Sequence, residues 1–113
     1  MKFSQDPLIS DAIRWPRRLW KRIKKGKYSP RIILLYLLFV DGTYRLEYMN
    51  SMYLKQPAFP TDDMYVLGAA VSPDDAAELV AEMTQEYLRE ENADRKSLSQ
   101  ALLDRFFGGS VSE

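Results

Sequence analysis

The sequence predicts an α+β fold, and three observations lead to that prediction. An Asp41-Gly42 pair separates two runs of strand length, a further apolar run ends at a capping Ser72-Pro73, and amphipathic segments lie on both sides of this central region. We expect an N-terminal basic amphipathic helix, a β-hairpin plus a third strand, and two C-terminal helices packed on the small sheet. The alternative is an all-α helical bundle, because the run RIILLYLLFV is also a good helix former.

Length and composition fit one folded unit. The chain has 113 residues, of which 46% are hydrophobic and 28% charged, so we expect a single domain over residues 1–113. The longest apolar run, Ile32 to Val40, is far shorter than the ~20 residues of a membrane-spanning helix. Asp6 and Asp11 stand where a signal peptide would have its apolar stretch. A cytoplasmic protein is the expectation.

The first predicted element is the basic helix between Leu8 and Ile23. On a helical wheel its apolar residues fall within an arc of about 140°, with Trp15 at the edge of that arc. Pro16 interrupts the pattern, so we expect either a kink or two shorter helices with Pro16 in the first turn of the second. Gly26 is expected to end the helix. The apolar arc consists of Leu8, Ile9, Ala12, Ile13, Leu19, Trp20 and Ile23.

The hairpin is predicted over residues 31–49. After Asp41-Gly42, the segment TYRLEYM alternates Tyr44, Leu46 and Tyr48 with more polar residues, which is typical of a strand. The apolar run before the turn suits a central strand. In the helical alternative, Ser29 would cap the run and Pro30 would occupy its first turn.

The C-terminal half begins with a loop at residues 50–63 that contains a short helical turn. Met64 to Val71 is an apolar run of strand length, and Gly68 within it indicates a close backbone approach. Ser72, Pro73 and the two aspartates after them predict a helix from Pro73 to about Glu91.

A polar break at residues 92–96 separates this helix from the last one. Ser97 and Gln100 form a possible capping box for a helix from Leu98 to Phe107. Gly108-Gly109 is expected to stop it, with the last four residues frayed.

Three segments of the chain resemble those of short uncharacterised bacterial proteins in which a hairpin and an LKQP-like segment precede a VxGxA strand and an AxELV helix. The matching segments are Tyr53 to Pro57 (YLKQP), Val66 to Ala70 (VLGAA) and Ala77 to Val80 (AELV). The resemblance spans residues 31–90, supports the hairpin and implies no particular activity.

Charge is divided along the chain although the net charge is zero. Residues 1–31 hold ten Lys or Arg against two acidic residues, whereas residues 32–113 hold six against fourteen. An i to i+4 ladder of like charges works against its own helix, so the acidic helix favours a cation nearby. Since both charged helices are expected to turn their apolar sides to one shared core, docking between two copies, or with a separate protein partner, is easier than docking within one chain. The ladder consists of Asp74, Glu78, Glu82, Glu86 and Glu90.

Catalytic and metal chemistry has little support in this sequence. Histidine and cysteine are absent, which removes the commonest general base, thiolate nucleophile and metal ligands. Asp62-Asp63 is the one acidic pair in a loop, and a solvated cap is the more ordinary interpretation. Gly68 and Gly108-Gly109 lack the spacing of a phosphate-binding loop. We therefore expect a non-enzymatic protein with no catalytic residues, no cofactor and no bound metal.

The sequence predicts instead an interaction or accessory protein with opposed basic and acidic helix faces. Self-association through these faces is the first hypothesis, nucleic-acid binding through the basic helix the second, and attachment to a membrane surface the third. Burial of Trp15, Trp20 and Ile23 would make the basic helix a core element, and exposure would make it a docking element. The candidate interaction residues are Arg14, Arg17, Arg18, Lys21, Lys24 and Lys25 together with the acidic ladder.

Overall fold

A computed structural model describes residues 1–57, 59, 62–89 and 97–111, with side chains through residue 108. It has a four-stranded mixed sheet and three α-helices, which confirms the α+β prediction and excludes the helical bundle. None of the helices in these ranges is long and apolar enough to cross a membrane. The elements are β1 (Lys2–Ile9), α1 (Pro16–Lys24), β2 (Ile33–Val40), β3 (Thr43–Asn50), a 3₁₀ helix (Ser51–Lys55), β4 (Met64–Ala70), α2 (Pro73–Arg89) and α3 (Leu98–Val111).

The hairpin forms as predicted. Strands β2 and β3 pair antiparallel without a register shift, from Ile33 opposite Asn50 to Val40 opposite Thr43. Asp41 and Gly42 have φ angles of 51° and 83°, the left-handed pair that a type I′ turn requires. The sheet order is β1-β4-β2-β3, so β2 is a central strand as expected.

Strand β1 was not predicted, and it corrects the N-terminal assignment. Leu8 and Ile9, which the wheel placed in the basic helix, pair in parallel with Gly68 and Ala69 of β4. The helix begins only at Pro16, where the two-helix alternative placed its second helix, because proline suits a first helical turn and not an interior. The first helix of that alternative does not form, since Leu8 and Ile9 belong to β1.

Ser4 lies in the irregular part of β1 and connects both layers of helices to the sheet edge. Its backbone oxygen accepts a hydrogen bond of 3.0 Å from Trp20 Nε1 of α1. Its hydroxyl donates to the backbone oxygen of Phe106 of α3 at 3.3 Å. The side chain is buried, so both bonds help to hold the two helices against β1.

The helices cover opposite faces of the sheet, which corrects the expectation of one shared core. Helices α2 and α3 pack on Ile33, Leu35 and Leu37 of β2, and α1 packs on Leu34 and Tyr36. Because strand side chains alternate, the apolar run of β2 supplies both cores. The prediction that the two C-terminal helices pack on the sheet is confirmed.

Gly68 allows the close approach that the sequence indicated. A Cβ atom at this position would lie 1.9 Å from the backbone oxygen of Leu8 in β1. The register of β4 against β2 also shifts here, since Leu35 pairs with Gly68 but Tyr36 pairs with Val66. A side chain at residue 68 would therefore separate β1 from β4.

Helix α2 starts at a reciprocal cap. Ser72 Oγ accepts from the N–H of Asp75 at 3.1 Å, and the Asp75 carboxylate accepts from the N–H of Val71 at 3.0 Å. This confirms the predicted helix start. The predicted end at Glu91 and the polar break at 92–96 lie outside the described residues.

Helix α3 starts as expected but extends beyond its expected end. Ser97 Oγ accepts from the N–H of Gln100, whereas the Gln100 side chain bonds Asp104 and does not complete a capping box. The expected stop at Gly108 is wrong, because the helix continues to Val111. Glycine costs a helix only about 1 kcal/mol, so it does not force an end.

Candidate functional site

Helix α1 has a buried side and a charged side. Trp20 and Ile23 are 4% and 1% exposed and belong to the core beneath the helix. Trp15, immediately before the helix, is 63% exposed. The helix is therefore a core element with a charged outer side, and Trp15 lies in solvent beside it.

The end of α1 adds one more cation to that outer side. The N–H of Gly26 donates to the backbone oxygen of Ile23 at 2.9 Å, and the N–H of Lys27 donates to that of Arg22 at 3.0 Å. Together with the positive φ of Gly26, this is a Schellman motif. The reversed chain brings Lys27 into the same shallow depression as Arg22.

We define the basic surface as the exposed cations of residues 14–27. Part of it surrounds a shallow depression of about 330 Å³ that no acidic side chain lines. None of these cations forms an ion pair within the described residues. The basic surface comprises Arg14, Arg17, Arg18, Lys21, Arg22, Lys24, Lys25 and Lys27, and all but Arg14 and Lys24 line the depression.

An apolar groove adjoins the basic surface. It has a volume of about 330 Å³ and is lined by Ile13, Trp15, Leu19 and Val71 among others, with arginines at its rim. The Arg18 guanidinium lies 5.7 Å from the centre of the Trp15 ring, within cation–π range. One face of the molecule therefore carries an exposed aromatic ring, an arginine stacked on that ring and the cations of the basic surface.

The acidic ladder lies on α2, across the sheet from the basic surface. Asp74, Glu78, Glu82 and Glu86 are all exposed, and Glu90 lies outside the described residues. Glu86 pairs with Arg105 of α3, which supplies a cation to the ladder from within the chain. Because α1 and α2 cover opposite faces, the two charged faces of one molecule point apart.

Within the described residues, neither the aromatic side chains of residues 44–65 nor the loop pair Asp62-Asp63 forms a site. Tyr44 and Tyr65 pack beside the core under α2 and α3, Phe59 packs beside the core under α1, and Tyr53 is exposed, so the aromatic residues form no single stacking platform. Asp62 and Asp63 are exposed, and within the described ranges no three acidic residues are grouped to hold a metal ion.

Tyr36 is a buried tyrosine whose ionisation is opposed by its surroundings. Burial first, and then its 3.1 Å hydrogen bond to Glu47 and that carboxylate's charge, raise the pKa of Tyr36 to about 12. This pKa shift contributes fully to the free energy of unfolding below pH 10, the tyrosine pKa in the unfolded chain, and the contribution is lost as the pH rises through about 12.

We therefore expect the free energy of unfolding of the wild type to fall by roughly 2 kcal/mol more than that of Tyr36→Phe between pH 9.5 and 12. Urea denaturation of both proteins across this range measures the difference. If the free energy of unfolding falls equally with pH in both proteins, Tyr36 does not have a raised pKa. The other tyrosines are common to both proteins and cancel in the comparison.

The six basic residues selected from the sequence are all exposed, Arg14 just before α1 and the others on α1 or at its end, but this selection omitted Arg22 and Lys27. Arg22 lies near the apolar arc on the wheel and Lys27 follows the helix-ending glycine, so helical periodicity alone did not select them. The uniformly basic composition of residues 14–27 was the signal that contained them. Comparison with protein-family models, with curated proteins and with solved structures finds no match to this chain.

Proposed function

We propose that this protein is a non-enzymatic accessory protein that binds nucleic acid, with a preference for single strands, through the basic surface. The observation that carries the proposal is the depression lined by six cations and no acidic residue, Arg17, Arg18, Lys21, Arg22, Lys25 and Lys27. Such a surface attracts phosphates without reading sequence. The last turn of α1 is itself basic, which matches the negative end of the helix dipole and stabilises the array.

The preference for single strands rests on Trp15. An exposed indole next to stacked Arg18 offers a surface for an unpaired base, and each such base contributes ~1–3 kcal/mol. A duplex keeps its bases stacked and would contact the phosphate-binding cations alone.

A membrane surface is supported less well by the same geometry. Interfacial helices insert their apolar side between lipids, but the apolar side of α1, including Trp20 and Ile23, is packed on the sheet. We propose a cytoplasmic location as well, because nucleic acid is present in that compartment.

The test is fluorescence anisotropy with a labelled 20-nucleotide thymidine strand and with a duplex of the same length. We expect binding at 50 mM salt and a loss of affinity of roughly a thousandfold by 200 mM, as for about six phosphate contacts. Trp15→Ala should weaken single-strand binding about tenfold and leave duplex binding unchanged. No binding at 50 mM salt would end the proposal.

A matched pair of lysine reversals locates the binding face. Lys21→Glu changes the basic surface, and Lys55→Glu makes the same change of charge in the 3₁₀ helix. We expect Lys21→Glu to reduce affinity at least about tenfold and to lower the salt dependence, whereas Lys55→Glu should change little. Equal losses in both variants would contradict binding at the basic surface.

Self-association through the two charged faces is a second candidate. Since the faces lie on opposite sides of the sheet, one copy would offer its basic surface to the acidic ladder of the next, and the contact would be head to tail. Head-to-tail contacts of this kind produce open filaments unless the rotation between neighbouring copies closes them into a ring. Their mass should fall to the monomer as salt rises to about 0.5 M, and a mass unchanged over that range would contradict them.

A further inference from the structure

The outer edge of β3 presents unpaired backbone groups. The N–H of Ser51 donates to the backbone oxygen of Ile32. The backbone N–H and C=O groups of the odd-numbered residues of β3 therefore point toward β2. The N–H of Phe39 donates to the backbone oxygen of Asp63, so the backbone groups of the odd-numbered residues of β2 point away from β3 and toward β4. The N–H and C=O groups of the even residues Tyr44, Leu46 and Tyr48 therefore point outward.

This edge has few of the features that protect sheet edges. β3 is the last strand in the sheet order, and no other described segment pairs with its outer side. Its register with β2 has no bulge, and it contains neither proline nor lysine. Tyr48 is 45% exposed, although tyrosine gains by burying its ring.

The sequence of the strand is self-complementary around Leu46. In an antiparallel pair centred on that residue, Arg45 lies opposite Glu47 of a second copy, and Glu47 lies opposite its Arg45. On the other face Tyr44 lies opposite Tyr48. Opposite charges and aromatic rings directly across a ladder both stabilise the pairing.

The hydrogen-bonding pattern agrees with this register. Leu46 opposite Leu46, and Tyr44 opposite Tyr48, bring together residues whose backbone groups point outward, so each pair exchanges two hydrogen bonds. Arg45 and Glu47 then form non-hydrogen-bonded pairs, whose side chains are closest. The hydroxyl of Tyr36 holds the Glu47 carboxylate at 3.1 Å and so positions it for the incoming guanidinium.

We propose that β3 pairs antiparallel with β3 of a second copy about an axis at Leu46, joining both sheets into one. The neighbouring registers with the same backbone parity are disfavoured by charge. A shift of the axis to Arg45 places two arginines opposite each other, and a shift to Glu47 places two carboxylates together. The contact is closed by two-fold symmetry, unlike a head-to-tail contact of the charged faces.

The test uses two charge-reversal variants that should not form homodimers but should form a heterodimer with each other. Arg45→Glu and Glu47→Lys each place like charges opposite one another in a homodimer, so each should raise the dimer dissociation constant at least about tenfold. An equimolar mixture should dimerise again, because every pair is then of opposite charge. Lys55→Glu is the control and should dimerise like the wild type. Sedimentation equilibrium distinguishes the 13.1 kDa chain from twice that mass.

Amide hydrogen exchange gives an independent readout that needs no variant. The N–H of Leu46 should exchange fast in dilute protein and slow as concentration rises, while that of Glu47, which faces β2, stays protected throughout. A wild type that is monomeric at about 0.5 mM, a dimer unaffected by Arg45→Glu, or folded single variants that fail to associate when mixed would each overturn the proposal. Loss of the dimer in Lys21→Glu but not in Arg45→Glu would assign it to the charged faces instead.

Discussion

Gly68→Ala is expected to destabilise the protein by about 3 kcal/mol or more, and to detach β1 from the sheet. The new Cβ would lie 1.9 Å from the backbone oxygen of Leu8. Backbone atoms cannot turn aside as a long side chain does, so the parallel β1–β4 pairing has to open. With β1 displaced, Ser4 would lose its bonds to Trp20 and Phe106.

The measurement is urea denaturation followed by circular dichroism, with Gly108→Ala as the matched control. Gly108 lies in α3 with nothing within 4 Å of the added Cβ, so alanine there should stabilise by about 0.5–1 kcal/mol. If Gly68→Ala unfolds at the same urea concentration as the wild type, β1 does not pass over Gly68 as described.

Trp20→Ala is expected to cost about 3–5 kcal/mol, since it removes a large buried side chain. Trp20 packs edge-on against Phe3, with the ring centres 5.7 Å apart, and its Nε1–H bonds the backbone oxygen of Ser4. Removal leaves a cavity beneath α1 and a buried carbonyl without its donor.

Trp15→Ala is the control for that change, because the same substitution occurs at a 63% exposed site. We expect it to change the free energy of unfolding by less than about 1 kcal/mol, most of it the lost contact with Arg18. Thermal unfolding of the two variants beside the wild type measures both effects. Similar destabilisation by both substitutions would mean that α1 does not pack through Trp20.

Local signals in the sequence predicted the elements whose geometry is local. Asp41-Gly42 requires a tight left-handed turn and so defined the hairpin, while Ser72 with Asp75 defined the start of α2. Gly68 was correctly assigned to a close approach. Each of these features depends on a few adjacent residues, which periodicity and turn chemistry describe well.

Long-range arrangement was the part that local patterns missed. β1 contains Asp6 and Pro7 and is irregular between Phe3 and Leu8, so its alternation is weak, and its partner β4 lies about 60 residues away in sequence. A helical wheel shows that α1 buries one side, but not which face of the sheet receives it. The unbroken apolar run of β2 was the available sign that both faces are covered.

The candidate site was predicted in composition and only partly in form. Exposure of the basic residues agrees with the wheel, whereas the sequence left the exposure of Trp15 open. The depression is lined by residues 17–27 alone, but the apolar groove depends on residues from separate segments, such as Ile32 and Val71. The ion pair of Glu86 with Arg105 depends on how α3 packs beside α2, which no pattern in either helix reveals.

The parallel pairing of β1 with β4 also has a kinetic consequence. The β2–β3 hairpin closes over a two-residue turn and should form within microseconds, whereas β1 has to wait for residues 64–70. During synthesis β1 therefore leaves the ribosome, with the basic segment that follows it, before its partner β4 has been made. Folding of this chain should end, not begin, at its N-terminus, with closure of β1 onto β4 as the late step.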